Sequence, residues 1–179
     1  VFSSDNGGES QVTSNAPLRA GKSSLYEGGI RVPLLVRWPA AVPAGKTCSS
    51  PTSNIDFYPT FLEAAGITPS AKQKLDGRSI LAHLKEPGKA PRSTPLFWHY
   101  PLSKPHFLGG HSGGAIRKGP WKLIEWFDTN RVELFNLQED PSEREDVFAQ
   151  QQDTGKRLLA ELRTWRNGLG AKTTAEEKK

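Results

Sequence analysis

Seventeen glycines and fourteen prolines break this chain of 179 residues into pieces too short for most architectures. Glycine opens the left-handed backbone region at little steric cost and proline removes an N–H while fixing φ, so regular elements bounded by either end quickly. No apolar run approaches the ~18 residues that a membrane-spanning helix requires, and membrane insertion is not expected. The single cysteine, Cys48, cannot form a disulfide within the chain. What these limits leave is a loop-rich α/β chain. It contains no methionine and opens on Val1-Phe2-Ser3-Ser4, which reads as the end of a strand. The expectation is therefore the later part of a longer polypeptide.

After that strand, Asp5-Asn6-Gly7-Gly8 predicts a tight turn and residues 9–29 a long polar loop. Pro33-Leu34-Leu35-Val36-Arg37-Trp38-Pro39 reads as a short buried strand fenced by prolines. Asn54 is placed to cap a helix over 55–65, whose Ile55, Tyr58, Phe61, Leu62 and Ala65 recur at helical spacing and predict one face packed on a core. A shorter helix is expected over 79–84. Four strands over 96–100, 114–118, 121–126 and 132–135 suggest an antiparallel meander, with Lys118-Gly119-Pro120-Trp121 as one turn. In a last helix over 153–167, Leu158, Leu159, Leu162 and Trp165 form one apolar face. The expected organisation is a first domain over 1–92, a sheet-plus-helix subdomain over 93–170 and a disordered tail over 171–179.

The formal charge of +5 raises the question of nucleic acid. The excess sits largely in the terminal helix and tail, whereas residues 101–150 hold six basic against eight acidic side chains. No basic stripe with interleaved aromatics emerges, so a solvated surface is expected and no nucleic-acid partner.

Asp5 and Asn6, directly after a strand, sit where open α/β sheets bind ligands. Both offer hard oxygen ligands, suited to calcium or magnesium rather than zinc. By itself the tetrapeptide is equally a good turn. The following loop adds Lys22 in a glycine-bearing setting, then a Glu27/Arg31 pair beside Gly28-Gly29. An ammonium close to a divalent cation makes electrostatic sense if an anion lies between them, and that anion would be the substrate.

Phe2-Ser3-Ser4-Asp5-Asn6-Gly7-Gly8, then Gly21-Lys22 with Tyr26-Glu27-Gly28-Gly29-Ile30-Arg31-Val32-Pro33, then Trp38-Pro39, closely resembles the second half of the type I sulfatases, the formylglycine-dependent, arylsulfatase-like enzymes of the alkaline phosphatase superfamily. The likeness continues through Asn54-Ile55-Asp56-Phe57-Tyr58-Pro59-Thr60, Asp76-Gly77-Arg78-Ser79, and the segments 115–124 and 133–137. It implies an alkaline-phosphatase-like α/β sandwich plus a small antiparallel sheet with a packed C-terminal helix. It further implies that Asp5 and Asn6 supply two of four protein ligands to one calcium ion and that Lys22 contacts the sulfate group. The signature over 26–31 is taken as architectural. The implied reaction is hydrolysis of a small-molecule or glycan sulfate monoester in a periplasmic or secreted setting.

The family's nucleophile, Cys or Ser in C/S-x-P-x-R converted to formylglycine, is expected upstream. Cys48-Ser49-Ser50-Pro51 has one residue too many before proline, and Ser49-Ser50-Pro51-Thr52-Ser53 has Ser53 where arginine is required. The chain alone is therefore expected to be inactive. His99, His106 and His111 lie in a Gly/Pro-rich stretch between two strands and are the candidates for contacting the substrate's leaving group, with Trp98 for sugar stacking; a merely structural loop is the other reading. His83 reads as surface or packing, and Trp121, Trp126 and Trp165 as core. A phosphodiesterase or phosphonate hydrolase on the same scaffold, and a noncatalytic binder of sulfated glycans, are the competing functions. Relative sulfate and phosphate rates separate the first from a sulfatase, and binding without turnover selects the second.

Overall fold

A computed structural model describes residues 1–89 and 92–173. The chain divides into two compact units, Val1–Phe2 with Leu34–Thr94 and Ser3–Pro33 with Pro95–Lys179. The division expected at 92–93 does not capture the grouping of Ser3–Pro33 with the later sheet. The architecture is α/β, a two-stranded and a four-stranded sheet with helices.

In the first unit, β2 (Leu34–Leu35) pairs with β1 (Phe2–Ser3). The buried strand expected over 33–39 is thus corrected to a two-residue strand in which Leu35 is 59% exposed. The flanking prolines supply no donor to extend the ladder. A 3-10 turn (Asn54–Asp56) leads into α2 (Phe57–Ala64). The cap is Ser53 rather than Asn54, because Asp56 three residues on completes a reciprocal capping box with it.

Asp56 also explains why the predicted apolar face of that helix does not pack as expected. Its fully buried carboxylate accepts from Ser53 N (2.9 Å), Arg78 N (2.8 Å) and the Arg92 guanidinium. Buried Thr60 bonds Asp56 O (2.6 Å) and Ile80 N (3.0 Å). Satisfying this buried charge turns the Asp56/Thr60 side inward and leaves Ile55, Tyr58 and Phe61 about half exposed. The short helix α3 (Leu81–Lys85) follows.

The second unit is built on the meander β3 (Leu96–Tyr100), β4 (Gly113–Lys118), β5 (Trp121–Trp126) and β6 (Val132–Asn136), antiparallel in that order. Ala115 pairs with Ile124, and Leu123 with Leu134. Alternation sends Ile116, Leu123 and Leu134 to one face, where they meet Leu158 and Leu162 of α4 (Gln152–Gly168). It sends Ala115, Ile124 and Phe135 to the other, where Leu25 and Tyr26 cover them. Covering both faces accounts for apolar runs in which neighbouring residues are alike buried. Glu125 fastens α4 through Arg163 Nε and a guanidinium nitrogen of Arg166, each at 2.7 Å.

The expected turn over 118–121 is present, with Gly119 at φ +59°. Trp126 is core, and Trp121 and Trp165 are half-buried against the α4 side. Residues 171–173 are engaged, Ala171 N bonding Arg166 O (3.2 Å) and Lys172 O contacting His99. The rest of the tail, 174–179, lies outside the described residues.

Candidate functional site

Asp5, Asn6 and Lys22 belong to one backbone-laced block within the second unit. Lys22 N donates to Gly8 O (3.0 Å), Gly7 N to Gly29 O (2.9 Å) and Gly28 N to Arg19 O (2.8 Å). The Asn15 amide clamps Gly8 from both sides, accepting from its N–H (2.9 Å) and donating to its carbonyl (2.8 Å). There is no space for side chains where the strands of this block cross. A Cβ on Gly7 would stand 1.7 Å from Gly28 O, and one on Gly29 would stand 2.2 Å from Ser24 O. The spacing of glycines in the sequence is thus a packing requirement.

The block leaves its polar ends outward. Asn6 Nδ2 donates to Gly7 O (2.9 Å), which leaves Oδ1 as the open acceptor of that amide. The Asp5 carboxylate is exposed and, among the described residues, takes no hydrogen bond or ion pair; the Lys22 side chain is exposed as well. A carboxylate and a free amide oxygen form a hard donor pair that fits a calcium-like cation. Among the described residues no group of three or more His, Cys, Asp or Glu gathers to complete such a sphere.

Beneath the block lies a set of buried charges that the sequence did not advertise. Glu27 is 2% exposed and starts α1 (Glu27–Ile30), so part of the expected loop is helix. Its carboxylate meets Lys122 Nζ at 3.0 Å, and Lys122, fully buried on β5, also meets Glu143 at 2.8 Å. Glu143 Oε2 accepts the Glu27 backbone N–H. Arg31, expected as the partner of Glu27, lies at 3.8 Å and is half exposed; Arg117 lies at 3.7 Å. Burial raises the Glu143 carboxyl above the usual range, against the pull of Lys122. Glu143 also sits at φ +53°, a conformation costly for a side-chain-bearing residue.

Tyr26 anchors the same segment. Its hydroxyl donates to Glu133 Oε2 (2.7 Å), to which Trp126 Nε1 also donates (2.6 Å), and its ring packs on Trp126 and Phe135. Burial, then Glu133, pushes the phenol well above its ordinary value, so it stays a donor. The signature over 26–31 is therefore where the site block is bolted to the sheet.

The three histidines do not share one environment. His99 on β3 contacts Lys172 O (3.1 Å) and packs on Phe127, and burial holds it below the usual histidine value. His106 closes a tight turn: its N–H donates to Gly110 O (2.7 Å) and its Nδ1 accepts from Leu108 N (3.2 Å). His111 Nδ1 is 2.7 Å from Asp128 Oδ2. The turn touches the site block, since a Cβ on Gly110 would lie 1.8 Å from Ser23 O. Trp98 is half-buried against the core cluster.

In the first unit a cavity of about 270 Å³ is lined by Arg78, His83 and Arg92 among others. The serines considered beside Cys48 have structural duties there. Ser50 Oγ accepts from Arg92 N (3.0 Å) and Ser53 caps the 3-10 turn that leads into α2.

Residues 20–167 match the family model described as N-sulphoglucosamine sulphohydrolase, C-terminal. A sulfatase of Formosa agariphila is 35% identical over 92% of this chain and 32% of its own length. The solved structure of Ps i-CgsB in complex with k-i-k-neocarrahexaose is 37% identical with a TM-score of 0.78, over 92% of this chain and 35% of that one. A protein solved in complex with its substrate D-glucosamine-2-N,6-O-disulfate is 31% identical with a TM-score of 0.68, over 80% of this chain and 29% of that one. The chain thus spans about a third of the length of these relatives. No helix among the described residues is long and apolar enough to cross a membrane. With the family model covering most of its length, the chain belongs to the sulfatase family and matches that family's C-terminal domain.

Proposed function

We propose that this chain serves a calcium-dependent sulfatase that hydrolyses sulfate monoesters, with glycan sulfates as the substrate class. The observation that carries the reading is the lacing of the Asp5-Asn6 turn to the Lys22 loop through Gly7, Gly8 and Gly29, which holds two hard oxygens and one free ammonium on a single rigid block. Asp5 and Asn6 Oδ1 would hold the cation together with ligands from outside this chain. Lys22 binds a sulfate oxygen and offsets charge that builds as the S–O bond breaks. Calcium, when bound, supplies Lewis-acid stabilisation of the same oxygens. The nucleophile, a formylglycine, is expected outside these 179 residues, and the isolated chain is expected to be inactive. His99, His106 and His111 are the candidate contacts to the leaving group, and the family likeness favours a periplasmic or secreted setting.

The test is the full-length protein with 4-nitrophenyl sulfate and a panel of sulfated monosaccharides. Lys22→Ala should cut turnover by about 10²-fold or more. Asp5→Asn should lower bound calcium, measured by elemental analysis, along with activity. Unchanged turnover in Lys22→Ala would refute the role given to it, and faster hydrolysis of 4-nitrophenyl phosphate or its diester would favour a phosphohydrolase instead.

A further inference from the structure

Among the three candidate histidines, His111 has a carboxylate partner of its own, Asp128. The imidazole Nδ1 and a carboxylate oxygen are 2.7 Å apart, with the histidine side chain 49% exposed and the aspartate 26%. A carboxylate at that distance is satisfied by an N–H on Nδ1 when the ring is neutral, which makes Nε2 the free ring nitrogen. The ring also stands edge-on to buried Trp126 at 6.1 Å, so its plane is held on a second side.

The loop that carries His111 is fixed at both its base and its tip. Leu102 N donates to Ser112 Oγ (2.9 Å) and Phe127 N to Ser112 O (2.8 Å), which ties the loop to the strands. At the tip, Gly110 presses on the carbonyl of Ser23, itself at φ +73°. Gly110 precedes His111 and Ser23 follows Lys22. With Cα atoms 3.8 Å apart along each chain, the Cα atoms of Lys22 and His111 lie on the order of 10 Å from one another. A sulfated monosaccharide is about that size, so a sulfate group on Lys22 would bring its alcohol portion toward His111.

We propose that His111, through Nε2, hydrogen-bonds the alcohol portion of the sulfate ester and so helps select a sugar over an aryl leaving group, and that Asp128 is the positioning residue that sets its tautomer and orientation. This rests on the sulfatase reading above.

The test uses the full-length protein with 4-nitrophenyl sulfate and with the 6-sulfates of N-acetylglucosamine and N-acetylgalactosamine and 4-sulfated neocarrabiose, taking whichever sugar ester the wild type turns over best. His111→Ala should lower kcat/KM for the sugar ester at least tenfold more than for the aryl ester, with most of the difference in KM. His111→Gln, whose amide oxygen can place an acceptor at the position of Nε2, should recover more sugar-ester activity than His111→Asn. Asp128→Leu should reproduce the His111→Ala preference, whereas Asp128→Asn, which keeps an acceptor for Nδ1–H, should fall between it and the wild type. Equal losses on both esters would reduce the pair to a structural role and overturn the proposal. A wild type active on the aryl ester but on no sugar ester would overturn it too. A wild type inert on every sulfate ester would instead defeat the sulfatase reading itself.

Discussion

The segment that carries Asp5, Asn6 and Lys22 and the meander it rests on lie in the same compact unit but are held by different physics. The meander is an apolar structure: Ile116, Leu123, Ile124, Leu134 and Phe135 are fully buried, sealed by Leu158 and Leu162 on one side and Leu25 and Tyr26 on the other. The site segment concentrates its own apolar contacts in Leu25 and Tyr26. It is held by backbone hydrogen bonds between glycines and by Glu27, which reaches down to Lys122 and Glu143. Apolar packing tolerates some repacking, whereas a buried ion cluster fails when one member is lost. A block that holds Asp5, Asn6 and Lys22 in fixed relation gains from the less forgiving scheme.

Removing the centre of that cluster is the sharpest way to break the contrast. Lys122→Met should cost roughly 3–5 kcal/mol in denaturant unfolding, because it removes the ammonium that the buried carboxylates of Glu27 and Glu143 share. Leu162→Ala, on the apolar side, should cost about 2–5 kcal/mol and should leave the ratio of activities toward different sulfate esters unchanged. If Lys122→Met proves milder than Leu162→Ala, the ion cluster is not what holds the block. Next in size, Gly7→Ala should destabilise by about 1–3 kcal/mol, since its methyl would overlap the backbone of Gly28 and Gly29, which must shift to admit it. It should reduce turnover in the full-length protein beyond any loss of folded protein, because the displaced backbone leads directly to Asn6 and Lys22.

The smallest effect is a pH slope. Burial places the folded Glu143 carboxyl above its unfolded value, so the folded state keeps this proton to higher pH than the unfolded state. The stabilisation is complete below the ordinary carboxylate range and is lost as pH rises through the raised value. Glu143→Gln should flatten that part of the stability-against-pH curve. A curve of the same slope would show that other groups dominate it.

The meander was legible because short apolar runs bounded by turn residues, Gly119-Pro120 among them, are local signals, and α4 because four apolar residues recur on one helical face. The outward residues of the site were legible for another reason: Asp-Asn-Gly-Gly and Gly-Lys are runs in which each residue is constrained by its neighbours. Lys122 was not. In sequence it is one more charged residue between Trp121 and Leu123, and only the pairing of β5 with its neighbours brings it under Glu27, 95 positions away. Glu143 and Asp128 were hidden for the same reason. Polar partners across a sheet leave no periodic trace. The inverted face of α2 shows the opposite error, where an apolar pattern is overruled by one buried carboxylate.

The loop over 101–112 carries a lesson about change over evolutionary time. Its ends are tied together through Ser112 and Gly110 packs against Ser23, yet Phe107 between these points is 83% exposed. The glycine-crossed block nearby admits almost no substitution. New residues and insertions can therefore accumulate at 103–108 without disturbing Lys22, so that, on the function proposed above, this short arc is where preference for one sugar over another would drift while Asp5, Asn6 and Lys22 stay as they are.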